Sequence, residues 1–217
     1  MNKEIQNNKE LIWRRKLEEL EEIGDSLNKG IDEGIKETVA VFNLMGLNTY
    51  ASCEGHLNWG MGAPWVGVQA EDEPDERFMG EKKNIEKIAK KYGITYEDVK
   101  QANNKEAWVE AVKTSSESEE MPEYKDWRKE NEKLWEKAQE FLDEFYKDRN
   151  APADSRLVIE GIGGGGAFRL HNGGKDYEVM PKDMAEEQKS GLQERLPRHQ
   201  AEMLAFGEFL KNKFFNS

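Results

Sequence analysis

The segment Ser52-Cys53-Glu54-Gly55-His56 places a thiol, a carboxylate and an imidazole within five consecutive residues. Cys53 and His56 are three positions apart across a glycine-containing turn, a spacing that lets both side chains reach one volume. A thiol beside an imidazole can act as an activated nucleophile, with His56 as base and Glu54 as an orienting carboxylate. The same pair can instead ligate a metal ion. The third interpretation is a structural cysteine buried beside a tight turn.

The backbone of this segment is a second source of chemistry. The consecutive N–H groups of Glu54, Gly55 and His56 can face one volume and hold an anion, as turn nests do. Gly55 permits the positive φ that such a turn often needs. We therefore predict that Ser52 and Gly55 line a small-ligand site together with the three reactive side chains.

Three residues from other parts of the chain are predicted to contribute to the ligand site. Trp65 flanks a loop that contains Gly60 and Gly62, where an aromatic side chain can line a cleft. Arg169 and His171 share one face of a later predicted strand, and His171 ends that strand. They reach the Ser-Cys-Glu-Gly-His segment only if the two strand ends are neighbours.

A metal site in this chain has few soft ligands available. One cysteine and three histidines exclude a closed zinc site built from several cysteines. Any such site must start from Cys53 and His56 and recruit His171, His199 or a carboxylate. Zinc is the metal that such a set predicts, and we expect it to leave an open, exchangeable coordination position.

The elements around the motif follow from the hydrophobic pattern. Runs bounded by glycine, proline and asparagine predict four short strands, over residues 48–53, 65–70, 156–162 and 167–171. Apolar residues repeating every three or four positions predict helices, over residues 8–23, 31–45 and 77–92, from Pro122 to about 145, and from Pro181 onward. Gly46 is placed to end the second helix in a left-handed cap. Pro197 is expected to kink or split the last helix.

These elements predict an α+β protein. We expect a small, mostly antiparallel sheet of about four strands packed with long helices, in one domain over residues 1–217. Residues 77–150 are predicted to be a helical insertion between two β sections, 48–70 and 156–171. Thr114–Glu120 is rich in serine and glutamate without periodicity, which predicts a mobile linker.

Composition limits the classes of partner and compartment. A formal charge of −12 disfavours nonspecific nucleic-acid binding and anionic membranes, so a small molecule or a protein is the expected partner. No stretch approaches the ~18 apolar residues of a membrane span. A single cysteine fits a reducing compartment, and a charged N-terminal segment is unlike a signal peptide. The sequence therefore predicts a cytoplasmic protein, and it leaves the oligomeric state open.

The region of the motif resembles a group of uncharacterised bacterial and phage proteins. The resemblance consists of a helix ending in Asn43-Leu44-Met45-Gly46, a strand, Ser52-Cys53-Glu54-Gly55-His56, and a strand beginning Pro64-Trp65-Val66. Those proteins carry a helix–strand unit that ends in Ser-Cys-x-Gly-His. The resemblance implies a site at residues 52–56 and names no activity.

A more distant resemblance is to the tRNA-wybutosine methyltransferase family. In that family a helix leads into Ser-Ser-Cys-Ser-Gly-Arg and then a strand with tryptophan, which corresponds to about residues 35–70 here. His56 stands where the family has arginine, and Ala51 where it has the first serine. Histidine is not a permanent cation as arginine is, so binding of an RNA phosphate at this position is less favoured.

The sequence is consistent with three hypotheses for function. The leading one is a small-ligand or catalytic site at residues 52–56. The second is a non-enzymatic protein whose acidic helices bind a partner, with the motif serving as a structural turn. The third is an RNA-modifying enzyme related to the wybutosine methyltransferases.

Overall fold

The structure is a computed structural model that describes residues 3–24 and 29–217. Within these ranges it has seven α-helices and one four-stranded antiparallel sheet, which confirms the α+β class. The helices are α1 (Lys3–Glu21), α2 (Lys36–Leu44), α3 (Glu81–Tyr92), α4 (Tyr96–Lys100), α5 (Lys105–Ser116), α6 (Pro122–Tyr146) and α7 (Glu186–Asn216). The strands are β1 (Thr49–Cys53), β2 (Trp65–Val68), β3 (Leu157–Ile162) and β4 (Ala167–Asn172).

The chain divides into two compact units. The sheet unit comprises Met1–Gln69 and Asn131–Ser217, and the helical unit comprises Ala70–Glu130. The helical unit is shorter than the predicted insertion, because Ala138 and Leu142 of α6 are buried in the core of the sheet unit. The helical unit has an apolar cluster of its own, formed by Ile85, Ile88, Ala89, Val99, Ala107 and Ala111.

The sheet brings the two predicted β sections together. Its strand order is β1-β2-β4-β3, and every neighbouring pair is antiparallel. Cys53 lies opposite Trp65, Trp65 opposite His171, and His171 opposite Val158. Directly opposite residues of antiparallel strands point to the same face. The end of β1 and the end of β4 are therefore on one face, with β2 between them.

The other face of the sheet is the core of the sheet unit. Val66, Val68, Phe168 and Leu170 are buried there among helical side chains. Among them is Phe206 of α7, whose ring packs edge-on against that of Phe42, with 5.8 Å between their centroids. This apolar side fixes the sheet, and it leaves the face that carries Cys53 and His171 free to hold polar groups.

The start of β1 is fixed by the end of α2. Gly46 has φ 71°, and the Leu47 N–H donates to the carbonyl of Phe42 at 2.9 Å, which confirms the predicted left-handed cap. The side-chain oxygen of Asn43 then accepts the N–H of Thr49 at 3.0 Å. Strand β1 is thus aligned at its first residue, which determines where Cys53 lies at its last.

Several predicted boundaries are wrong, and the helices predicted from residues 31 and 77 begin only at Lys36 and Glu81. Thr114–Glu120 is not a linker throughout, because α5 continues to Ser116 and Ser115 is buried. The last helix begins at Glu186 rather than in the turn that contains Pro181.

Pro197 does not split α7, although it removes a backbone hydrogen bond from the helix interior. The apolar residues Leu196 and Met203 are buried on either side of it. Their burial holds both flanking turns in place and offsets the lost bond.

None of the helices in the described part of the chain is long and apolar enough to cross a lipid bilayer.

Candidate functional site

Three potential metal ligands from the sheet unit converge at the end of β1. A carboxylate oxygen of Asp32, the Sγ atom of Cys53 and a ring nitrogen of His56 all lie within 4.8 Å of one another. Cys53 and His56 are buried, and Asp32 is half-buried. These three donor types, thiolate, imidazole and carboxylate, are the ones that bind zinc in proteins.

Cys53 and His56 are predicted from the sequence, whereas Asp32 is not. Asp32 Oδ2 accepts the backbone N–H of Glu54 at 3.0 Å and lies 3.1 Å from His56 Nε2. The Asp32 carboxylate therefore connects the segment that precedes α2 to the turn at residues 54–56. Its position in the sequence carries no signal, because Asp32 is one of 44 acidic residues.

Glu54 lies behind the imidazole ring rather than in the cluster. Its Oε1 atom is 4.0 Å from His56 Nδ1, whereas Asp32 lies near the other ring nitrogen, Nε2. Its Oε2 atom accepts the N–H of Gly34 at 2.7 Å, and a Cβ at Gly34 would lie 2.5 Å from that oxygen. A carboxylate on the outer nitrogen of a ligating histidine fixes the orientation of the ring. At 4.0 Å the Glu54 carboxylate makes no hydrogen bond to the ring, so its orienting role stays a prediction.

The backbone of the turn does not form an open anion nest. The N–H of Glu54 donates to Asp32, that of Gly55 contacts Cys53 Sγ at 3.4 Å, and that of His56 donates to the carbonyl of Met61 at 2.8 Å. All three donors have acceptors within the protein, so the predicted nest is wrong. Gly55 has φ 83° and serves the turn itself.

Ser52 lies on the other side of β1 from Cys53. It is opposite Val66, whose side chain is in the core, and strand residues alternate between faces. The structure therefore does not bring Ser52 to the ligand cluster.

An aromatic residue covers the imidazole. The Trp59 ring stacks on His56 with 3.5 Å between centroids, and the Lys29 ammonium lies 4.4 Å from the centre of the indole. Gly60 passes so close that a Cβ there would lie 2.8 Å from His56 Cδ2 and 3.5 Å from Cys53 Sγ. The loop after the motif thus encloses the cluster, while Trp59 itself remains 47% exposed.

The Cys53 thiol is protonated at neutral pH in the metal-free protein. Burial raises its pKa, and the Asp32 and Glu54 carboxylates add to the increase. Hydrogen bonds from the backbone N–H groups of Met61 and Gly55 act in the opposite direction and are outweighed. A raised pKa argues against a free thiolate nucleophile. A metal ligand is different, because the thiol loses its proton as the metal binds.

We expect iodoacetamide to alkylate Cys53 in the native, metal-free protein more slowly at pH 7 than a small-molecule thiol with a pKa of about 8.5. Burial both raises the pKa of the thiol and limits access to it. Mass spectrometry of the intact chain over time gives the rate, with the urea-unfolded chain as control. Faster alkylation than the small thiol, together with slowing in His56→Ala, would instead support the activated nucleophile.

His171 does not join the ligand cluster. Its Nδ1 donates to the carbonyl of Asn172 at 2.7 Å, and its ring stacks on Tyr177 with 3.5 Å between centroids. Its Nε2 lies 3.4 Å from Glu160 Oε2 without hydrogen-bonding geometry. Burial lowers the pKa of His171 and favours the neutral ring. Among the described residues, the group that lies with Cys53 and His56 is the Asp32 carboxylate, one of the three alternatives for a third ligand, rather than His171 or His199.

His199 is also outside the cluster. It is fully buried on α7, and its Nδ1 lies 3.8 Å from an oxygen of Asp176. That carboxylate is already held by Arg195 through two hydrogen bonds of 2.7 and 2.8 Å. Burial lowers the pKa of His199.

Trp65 and Arg169 lie beside the cluster on the same face of the sheet. Trp65 is opposite Cys53, and the Arg169 guanidinium is 4.3 Å from the centre of the Trp65 ring. The structure thus brings the two predicted ligand-binding residues together, Trp65 one strand and Arg169 two strands away from Cys53.

Comparisons with known proteins found no relative of this chain. No family model, no curated protein and no solved structure matches it. The resemblances based on the Ser-Cys-x-Gly-His motif therefore stay predictions.

Proposed function

We propose that this chain binds one zinc-type divalent cation through Asp32, Cys53 and His56, with a fourth position open to water or a small ligand. The supporting observation is that the three donor atoms lie within 4.8 Å of one another. Donor atoms around tetrahedral zinc are roughly 3.5 Å apart. Side-chain adjustments of about an ångström are enough to close the site.

The donor set favours zinc over the hard cations. Calcium and magnesium prefer oxygen ligands, whereas a thiolate and an imidazole suit zinc. The surroundings fit the same choice, because Glu54 lies behind His56 and Trp59 covers the ring. Such outer-shell groups hold the ligands in place and restrict the entry of water.

The number of ligands supports a reactive site rather than a structural one. Structural zinc sites usually have four protein ligands, and catalytic sites have three and keep one position open. A cation at such a site supplies a Lewis acid and lowers the pKa of bound water. We infer metal-assisted chemistry on a small molecule, hydrolysis or addition of water, as the reaction class.

Titration with cobalt, a spectroscopic substitute for zinc, tests the proposal. We expect one cobalt ion per chain, an absorption band from thiolate-to-cobalt charge transfer, and loss of the band when zinc is added. Because the thiol must release a proton, the affinity should rise about tenfold per pH unit between about pH 6 and 8. The untagged protein gives the measurement, and the same titration after alkylation of the unfolded chain is the control. Absence of the thiolate band at saturating cobalt would contradict the site.

A further inference from the structure

The sheet face that carries Cys53 also has two buried nitrogen donors without acceptors. Trp65 is only 9% exposed, and its Nε1 atom has no hydrogen-bond partner. The Nε atom of Arg169, whose guanidinium lies over the Trp65 ring, has none either. Buried donors in native proteins nearly always have an acceptor, so two on neighbouring strands call for an explanation.

The chemistry of the missing acceptor follows from the donors. An indole N–H and a guanidinium N–H can only donate, so the missing group must offer oxygen lone pairs. The positive charge of Arg169 favours an oxyanion, and a guanidinium matches the geometry of carboxylate and phosphate. The contact with the indole ring restricts the guanidinium, which reduces the entropic cost of ordering it when an anion binds.

The neighbouring groups define the surroundings of these donors. Glu160 lies opposite Arg169 in the sheet, and its carboxylate accepts the hydroxyl of Tyr177. On the other side, the Tyr50 ring covers Gly67, where a Cβ would lie 2.6 Å from the ring. The one acidic side chain opposite Arg169 is thus bound to a tyrosine hydroxyl.

We infer that Trp65 and Arg169 form a subsite for the carboxylate or phosphate group of a small anionic ligand. Cys53 lies directly opposite Trp65, so the Cβ atoms of these two residues are about 5 Å apart, the spacing of a cross-strand pair. The subsite stands on the geometry of its own residues. The subsite would bind the far end of a molecule held at the metal, and this second step depends on the proposed function. The charge of Arg169 favours an anionic ligand at this place, although the net charge of −12 of the whole chain repels nucleic acids.

The test is a ¹⁵N NMR titration of the tryptophan indole N–H signals with inorganic phosphate and, separately, with acetate. The Trp65 signal is identified by its loss in Trp65→Phe. In protein treated with EDTA we expect phosphate or acetate to shift the Trp65 signal saturably. The probe that binds more tightly shows whether the subsite prefers a phosphate or a carboxylate group. Arg169→Gln should weaken the response at least about tenfold, the effect of losing a charge-assisted hydrogen bond. Arg198→Gln, an exposed arginine on α7, should leave it unchanged.

Two outcomes would overturn the subsite. They are a Trp65 signal that neither probe shifts saturably, or a response that is equally strong in Arg169→Gln. Arg169→Lys is a second variant in case the first does not fold, and it should weaken binding because lysine lacks the planar fork. Cys53→Ser should keep the anion response. If the unaltered protein binds the anion but no metal, the proposed function is wrong. If it binds the metal but no anion, the subsite is wrong.

Discussion

Cys53→Ser is expected to weaken zinc binding by more than about 100-fold. Losing an outer-shell partner of a metal ligand already costs ~10–100-fold, and this change removes a direct bond. The serine hydroxyl has nearly the shape of the thiol and does not ionise near neutral pH, so it replaces the volume of the ligand without its chemistry. Competition with a chelating indicator measures the affinity, and circular dichroism confirms that the variant is folded.

Two further variants separate the ligands from their neighbours. Asp32→Asn should weaken binding strongly as well, because the amide is neutral and Asp32 supplies the third donor. Asp154→Asn is the matched control, since that carboxylate pairs with Arg198 on the surface. His171→Gln should keep zinc within a few-fold of the unaltered protein. If His171→Gln lost the metal while Asp32→Asn kept it, the assignment of the third ligand would be wrong.

The local part of the fold could be predicted from the sequence. The hairpin of β3 and β4 is marked by four consecutive glycines between two apolar runs, and Gly46 marks the end of α2. Both signals depend on residues that are neighbours in the chain. The strand order could not be predicted, because β2 and β4 pair across about a hundred residues and nothing local specifies that pairing.

The candidate site shows the same division. Cysteine and histidine are rare in this chain, so Cys53 and His56 are conspicuous, whereas Asp32 is one of many carboxylates. Asp32 reaches the turn only because α2 and β1 fold back on each other around Gly46. The exclusion of Ser52 could have been read from the sequence, because alternation along β1 puts it on the face opposite Cys53.

Gly55→Ala is expected to destabilise the protein by roughly 2–5 kcal/mol, the combined cost of a positive φ and of overpacking. Gly55 has φ 83°, which a residue with a Cβ adopts only with strain. That Cβ would lie 2.9 Å from the backbone of Ala63 and Pro64 and 2.8 Å from Leu196 Cδ1. The backbone atoms cannot move aside as a flexible side chain can. Urea unfolding followed by circular dichroism measures the free energy of unfolding.

Gly163→Ala separates the two causes of this destabilisation. Gly163 also has a positive φ, 63°, but a Cβ there would meet nothing within 4 Å. It should therefore cost only the backbone strain of about 1–2 kcal/mol, and the additional loss in Gly55→Ala measures the steric part. Equal losses in the two variants would show that the turn is not tightly packed. A larger loss at Gly55, accompanied by weaker zinc binding, would show that this packing also sets the distance between Cys53 and His56.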